Sequence, residues 1–376
     1  SQYVRGRFTR ASCLGSLTHK PVSRSSSGEV ASNWAPLAEP LAILPSAILD
    51  EESCPNSMLF AMMKDQVTEW ERVEHTVARL RDPDYQLRAF FRDCLAAFPE
   101  LRLYLCPADR TGGQGMSRFV ASTFQAANGR SPFEEYQRTV GALFAFYWLM
   151  RADLDGRDGF CFGVDMDWRI NRSVEKPNVE EKPFGEMNAA MKRDRFYSKG
   201  QWSKFQELLL DAGLLTRDKN GALSVNKERT KAMLALTAIH DVMKMEALIP
   251  RLLKEHAPFG SYGAGDQISD HDVALAYILE CFPNLMPSYR GLSEELRHIV
   301  LFTQSKMEFN NGWLVQAEGP PGKVLGAFKR VLQQGGGIRN NGGSAVSSRD
   351  VAFYFVHWLT DLAGAVPTPL AGSEKF

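Results

Sequence analysis

The sequence predicts a mainly α protein: a multi-helix bundle with a small β-hairpin and an extended N-terminal tail. Three observations predict it. Apolar residues recur at helical spacing in at least nine segments. A single Asn-Gly pair, Asn220-Gly221, lies between two short strand-like runs, the signal of a tight hairpin. Residues 1–50 hold Pro36, Pro40 and Pro45 among many serines, which breaks any helix there.

The elements follow in order. Apolar spacing predicts a helix over Ser57–Arg81, opened by a cap at Asn56 or Ser57. Further helices are expected over Asp84–Phe98, Ser117–Ala127 and Pro132–Ala152. Ser131 precedes Pro132, and Glu134 and Glu135 fall in the first turn, where the helix dipole favours acids. Asp153–Val179 reads as an irregular acidic surface loop. Its Asp153, Asp155 and Asp158 miss the calcium-loop spacing, with Asp158 where glycine is required and Val164 where glutamate is required. Trp202–Val225 reads as a helix stopped at Gly213, then the hairpin. Helices are expected again over Glu228–Glu255, Asp270–Phe282, Ser293–Ser305, Gly322–Gln334 and Ser348–Leu362. Two glycine-rich loops, at Gly260–Gly265 and Gly335–Gly343, lack the phosphate-loop pattern and read as flexible loops or as a lid. This divides the chain into a tail (1–50), an N-terminal helical region (51–200) and a C-terminal one (201–376), the last two separate or continuous.

Composition narrows the function. The chain has 376 residues, 44% hydrophobic, enough for a sizeable core. Lys plus Arg and Asp plus Glu both number 44, and a net charge of zero argues against nucleic acid or a membrane surface as the partner. No apolar run reaches the ~18–20 residues of a membrane span. The six cysteines are scattered without a C-x-x-C pair, as in an intracellular protein with reduced thiols. The first 28 residues hold five Lys or Arg and no acid. That start reads either as a solvated tail or as the remnant of a transit peptide, so the expected compartment is the cytoplasm or, on the second reading, a plastid or mitochondrion.

The chemistry concentrates in His240-Asp241-Val242-Met243-Lys244, inside the apolar run Ala232–Leu253. A helix apolar all round is buried, and an imidazole, a carboxylate and an ammonium buried there each need a partner. A divalent metal is the common partner of a His-Asp pair. His271-Asp272 opens another helix behind Ser269 and Asp270, and reads equally as ligands or as a capped first turn. His357 and Asp361 stand four residues apart on an aromatic helix and so share a face. They read as ligands or as a hydrogen-bonded pair between helices. His75 lies on an amphipathic helix. His256 ends a helix, and His298 is expected on a helix surface.

An apolar helix interrupted by His-Asp, with Lys three residues on, resembles the signature helix of the HD superfamily of metal-dependent phosphohydrolases. The resemblance implies an HD-like helical fold for 201–376 and a metal held by an early histidine, the adjacent His-Asp and a late aspartate. His240 and Asp241 match the dyad, Lys244 the following lysine and Asp361 the late aspartate. His75 (or His19) is the candidate early histidine, about 165 residues ahead of the dyad, which requires a large insertion or a site without it. His271, and His298 with it, would fill a dinuclear site.

The resulting expectation is a hydrolase of a nucleotide or other small phosphorylated molecule. Its metal (Mn, Fe, Mg or Zn) would be bound by His240, Asp241, His271, His357, Asp361 and His75, with Lys244 and Asp272 acting on substrate. A di-iron oxygenase is implied as a variant, because some members of the superfamily use the same ligand set on iron. The competing expectation is a non-enzymatic helical scaffold with a protein partner, in which His240-Asp241 makes buried hydrogen bonds. His240, Asp241 and Asp361 are expected within roughly 4–6 Å of one point if they share a metal.

Overall fold

The computed structural model describes residues 54–104, 130–165, 167–171, 183–307, 322, 325–326, 328–330 and 347–365. The tail, the Ser117–Ala127 segment and the Gly335–Gly343 loop lie outside the described residues. The architecture is mainly α with one two-stranded antiparallel hairpin.

Asn56 opens α1 (Ser57–Met63) by accepting from the Leu59 N–H at 2.8 Å, and its amide donates to the carbonyls of Ala247 and Ile249. The helix expected to run unbroken to Arg81 is interrupted, and α2 covers Trp70–Arg79. Neither Pro nor Gly breaks it. The chain leaves the helix so that the Glu69 N–H reaches the Ala97 carbonyl at the end of α3 (Leu87–Ala97), a tertiary bond invisible to periodicity. A 3₁₀ turn follows at Pro99–Tyr104. α4 (Pro132–Leu149) starts where expected, and Ser131 and Glu134 close it with a reciprocal capping box.

Within the expected irregular stretch, the described residues 153–165 and 167–171 are less irregular than expected. A short helix, α5 (Gly156–Phe162), forms there because Gly156 and Gly159 let the backbone press on Trp148, where a Cβ would collide. The acids there are engaged in pairs, Asp153 with Arg81 and Asp155 with Arg151. α6 (Ala189–Lys199) is a helix that the sequence reading does not single out. α7 (Trp202–Asp211) ends before Gly213, whose φ of +66° suits glycine. β1 (Leu215–Arg217) and β2 (Leu223–Val225) then pair around the expected turn. There Asp218 accepts from the N–H groups of Asn220 and Ala222.

α8 (Lys227–Ile239) is the central correction. It was expected to reach Glu255, but it stops at His240, and the chain continues through 3₁₀ turns at Val242–Lys244, Glu246–Leu248 and Lys254–His256. The Gly260–Gly265 loop is tied back to Leu252 by two backbone bonds of 2.8 Å, so it is anchored at its root. α9 (His271–Cys281), α10 (Pro287–Arg290) and α11 (Glu294–Leu301) follow, and α11 runs into a π-helical turn at Phe302–Lys306. α12 (Ser348–Gly364) closes the described chain.

The described residues all fall within one unit, Leu37–Phe376. Helices from 51–200 and 201–376 interleave: α4 lies along α12, and α8 packs on α2, α4, α11 and α12. α4 and α12 touch through glycine. A Cβ on Gly141 would meet the Gly364 Cα at 2.9 Å, so the backbones cross in direct contact. Met233, Leu236, Ile239, Val242, Tyr277, Phe146 and Phe353 are among the fully buried side chains of the core. Among the described residues no helix is long and apolar enough to cross a membrane.

Candidate functional site

The end of α8 positions the site. His240 is its C-cap, and the ring Nδ1 lies 2.8 Å from the Thr237 carbonyl oxygen. A carbonyl only accepts, so Nδ1 carries a hydrogen and the ring is oriented by that bond. Nε2 then faces the other way, toward two carboxylates. Asp361 Oδ1 lies 3.3 Å away and Asp241 Oδ2 3.5 Å away. Asp361 comes from α12, 120 residues downstream of Asp241, and the glycine contact with α4 holds α12 close in. Because the helix ends at His240, Asp241 leaves the helical path and can turn back to the same point.

One ligand atom from each of His240, Asp241 and Asp361 lies within 4.8 Å of the others. Adjacent ligands on one ion with bonds of about 2.0–2.2 Å stand about 3.0–3.6 Å apart, so the two Nε2–carboxylate spacings match a shared ion. Asp241 Oδ2 is buried and has no hydrogen-bond partner, as a ligand oxygen would. His240 and Asp241 are buried, while Asp361 keeps 34% of its side-chain surface, so the group opens to solvent on the Asp361 side. One imidazole and two carboxylates suit Mn, Fe, Mg or Zn, and the Nδ1–carbonyl bond is the usual support behind a ligating histidine. The residues present fit a divalent ion.

The electrostatics agree with a tightly coupled group. Burial disfavours the His240 imidazolium, but Asp241 and Asp361 outweigh it and raise its pKa to about 9. Burial likewise pushes the Asp241 and Asp361 carboxyls up, and the cations around them, His240 foremost, hold both below the ordinary range. His357 lies one turn before Asp361, its ring edge-on to His240 with centroids 5.2 Å apart. Burial and the His240 charge lower its pKa to about 3, so it stays neutral. Its Nδ1 is buried without a hydrogen-bond partner.

Lys244 sits on the turn after α8. Its Nζ is 2.6 Å from Asp241 Oδ1 and 3.9 Å from Glu135 Oε2. Tyr104, from the Pro99–Tyr104 turn, is fully buried and takes a hydrogen bond from Thr139 at 3.2 Å. Burial, with Asp241 next in weight, puts its phenol well above the ordinary range.

The structure separates the other candidates. Asp270 caps α9 by accepting from the Asp272 and Val273 N–H groups, so the capping reading of Ser269–Asp272 holds. His271 and Asp272 also form an acid–histidine group with Asp270, but an exposed one, at 37% and 54% side-chain exposure. α9 packs on the Val242–Lys244 turn, and Asp272 is close enough to Asp241 and Lys244 to feel both. The protein around Asp272, with Asp270 and Asp241 adding to it, pushes its carboxyl up, and solvent moderates that push. Gln304, from the π-helical turn, donates to Asp272 at 3.0 Å.

His75 lies elsewhere. It is exposed on α2, its ring near Tyr85, and it does not join the His240 group. His256 bonds to the Tyr277 hydroxyl, and His298 is half-buried on α11.

Sequence reasoning missed Glu135, Tyr104 and Thr237. Glu135 reads as a dipole-favoured first-turn acid, and only the fold shows it turned inward. No family model, curated protein or solved structure matches this chain.

Proposed function

We propose that this protein is a metal-dependent phosphohydrolase acting on a nucleotide or other phosphate ester. The observation that carries the reading is the convergence of His240, Asp241 and Asp361, from two separate elements, on one buried point that opens beside Asp361. The likeness of His240-Asp241-x-x-Lys244 to the HD signature points the same way. A divalent ion held there would polarise a phosphoryl oxygen and acidify a bound water.

The chain's own residues supply the rest. Thr237 fixes the His240 ring so that Nε2 is the ligating nitrogen. Lys244 steadies Asp241 and places a positive charge where a phosphate would approach. Asp272, held by Gln304 and pushed toward protonation, is placed to exchange a proton with a leaving group at the solvent side. His357 stands behind His240 and His271 beside Asp272, the positions from which each would join an enlarged ligand set. The superfamily resemblance also admits a di-iron oxygenase on the same ligands, distinguished by iron content.

A second reading has its own observation. The Lys244–Asp241 bond of 2.6 Å and the His240–Asp361 contact of 3.3 Å balance the charges without any ion. On that reading the cluster pins α8 to α12 in a non-enzymatic scaffold.

Elemental analysis of chelator-free protein, with hydrolysis of p-nitrophenyl phosphate and a nucleotide panel, separates the two. The proposal expects near-stoichiometric metal and turnover lost in Asp361→Asn. Metal-free protein that melts identically with and without added divalent ions supports the scaffold.

A further inference from the structure

α4 carries a carboxylate that its helix does not need. Ser131 and Glu134 already complete the capping box. Glu135, the next residue, is wholly buried and faces three cations: Arg130 at 3.4 Å, Arg138 at 3.6 Å and Lys244 at 3.9 Å. A buried ionic network is weak evidence for stability, since well-packed apolar side chains often do as well. Two of these cations have other outlets. Arg130 is 43% exposed to water, and Arg138 also donates to the Ala365 carbonyl.

Lys244 has no such outlet. It is 13% exposed, and among the described residues the carboxylates within 4 Å of its ammonium are those of Asp241 and Glu135. Asp241 is also a candidate metal ligand. A carboxylate whose charge is taken up by a divalent ion neutralises a neighbouring ammonium less, and the ammonium then repels the ion at short range. Something must offset Lys244 from another side. Glu135 is already within 4 Å, on a different element and shielded from water.

We propose that Glu135 is a positioning residue for Lys244: it supplies the counter-charge that keeps the ammonium beside the site when Asp241 is engaged by a divalent ion. This rests on the metal-site reading above. It assigns α4 a part in the site that its sequence does not reveal.

The test is metal affinity, not turnover. Mn²⁺ and Zn²⁺ binding to the full chain is measured by competition with a chromogenic chelator, with melting curves alongside. Variants are Glu135→Gln, Glu135→Asp, Lys244→Met, Asp241→Ala and Glu135→Gln/Lys244→Met. Loss of a supporting partner behind a metal site weakens binding roughly 10–100-fold, and that is expected for Glu135→Gln, with an intermediate loss for Glu135→Asp. Lys244→Met should bind as tightly as wild type or tighter. Adding Glu135→Gln to it should change nothing further, because a neutral residue 244 needs no counter-charge.

Equal affinity of wild type and Glu135→Gln overturns the proposal and leaves the metal site standing. A loss that persists in the double variant also overturns it, by showing a merely structural role. If Glu135→Gln melts below the assay temperature, Glu135→Asp, made alone and together with Lys244→Met, decides by the same comparison. Wild type that binds no more metal than Asp241→Ala overturns this proposal and the site reading together.

Discussion

Two places in this molecule spell His-Asp, and the fold treats them in opposite ways. His240-Asp241 ends a helix inside the core; His271-Asp272 begins one at the surface. In the first pair the ring is held by a carbonyl three residues back, and a carboxylate arrives from α12 to meet it. In the second, Asp270 caps its own helix, Gln304 donates to Asp272, and the pair stands open to solvent. The dipeptide is identical, so it does not decide the outcome. Burial, and convergence from a distant element, do.

The largest effect should come from removing Asp241. Its loss takes from Lys244 its partner at 2.6 Å and from His240 one of its two carboxylates, and breaking a buried pair typically costs about 3–5 kcal/mol. Chemical denaturation of Asp241→Ala should show a loss of that size. A loss under 1 kcal/mol would put the two His-Asp pairs on the same footing.

The next effect tests convergence through the backbone. Gly141→Ala forces α4 from α12, because the added Cβ meets the Gly364 backbone. Overpacking of this kind costs about 1–3 kcal/mol. Asp361 rides on α12, so metal affinity should fall as well. Stability loss with unchanged metal affinity would separate the helix crossing from the site.

A third buried carboxylate sharpens the contrast through pH. Glu100 accepts from the Ser288 N–H and hydroxyl, at 2.7 and 2.8 Å, but among the described residues it has no ion pair within 4 Å like that of Lys244 with Asp241, and Arg290 acts on it only from farther away. Burial raises its pKa above the usual glutamate range. A raised folded-state pKa means that the folded state holds the proton more tightly. The associated stability is present below the unfolded pKa of about 4.3 and is lost as pH rises through the folded value. Glu100→Gln keeps a carbonyl acceptor and cannot ionise. Its stability relative to wild type should therefore rise between acidic and neutral pH. A constant difference across that range would contradict this.

The surface pair should give the smallest effects. Asp270→Ala removes a cap worth about 1 kcal/mol, and His271→Ala should stay within about 0.5 kcal/mol, as surface substitutions do. A metal-affinity loss in His271→Ala equal to that of His240→Ala would erase the distinction between the two pairs.

Legibility in the sequence follows the same line. Local chemistry reads well. Ser131-Pro132 with Glu134, Asn56, Asp270 and the Asn220-Gly221 turn all act as their residue types predict, because the cap or turn bond of each closes within four residues. The break between α1 and α2 and the end of α8 at His240 do not read from periodicity. The first is set by a bond to Ala97, and the second lies inside an unbroken apolar run. Buriedness of that run was legible; its shape was not. For the same reason the shared face of His357 and Asp361 reads from their spacing while the meeting of Asp361 with His240 does not, and Glu135 is hidden behind a plausible role at a helix start.

The most direct test of the central claim compares melting temperatures of wild type and Asp361→Asn, with chelator and then with Mn²⁺ or Zn²⁺ restored. Asp361 is chosen because it comes from the distant element and is the most solvent-accessible of the three. An ion that binds the folded state at 100 times its Kd stabilises by about 2.7 kcal/mol. The account predicts that chelator lowers the wild-type melting temperature by several degrees, that metal restores it, and that Asp361→Asn responds to neither. A wild type indifferent to both chelator and metal would contradict it.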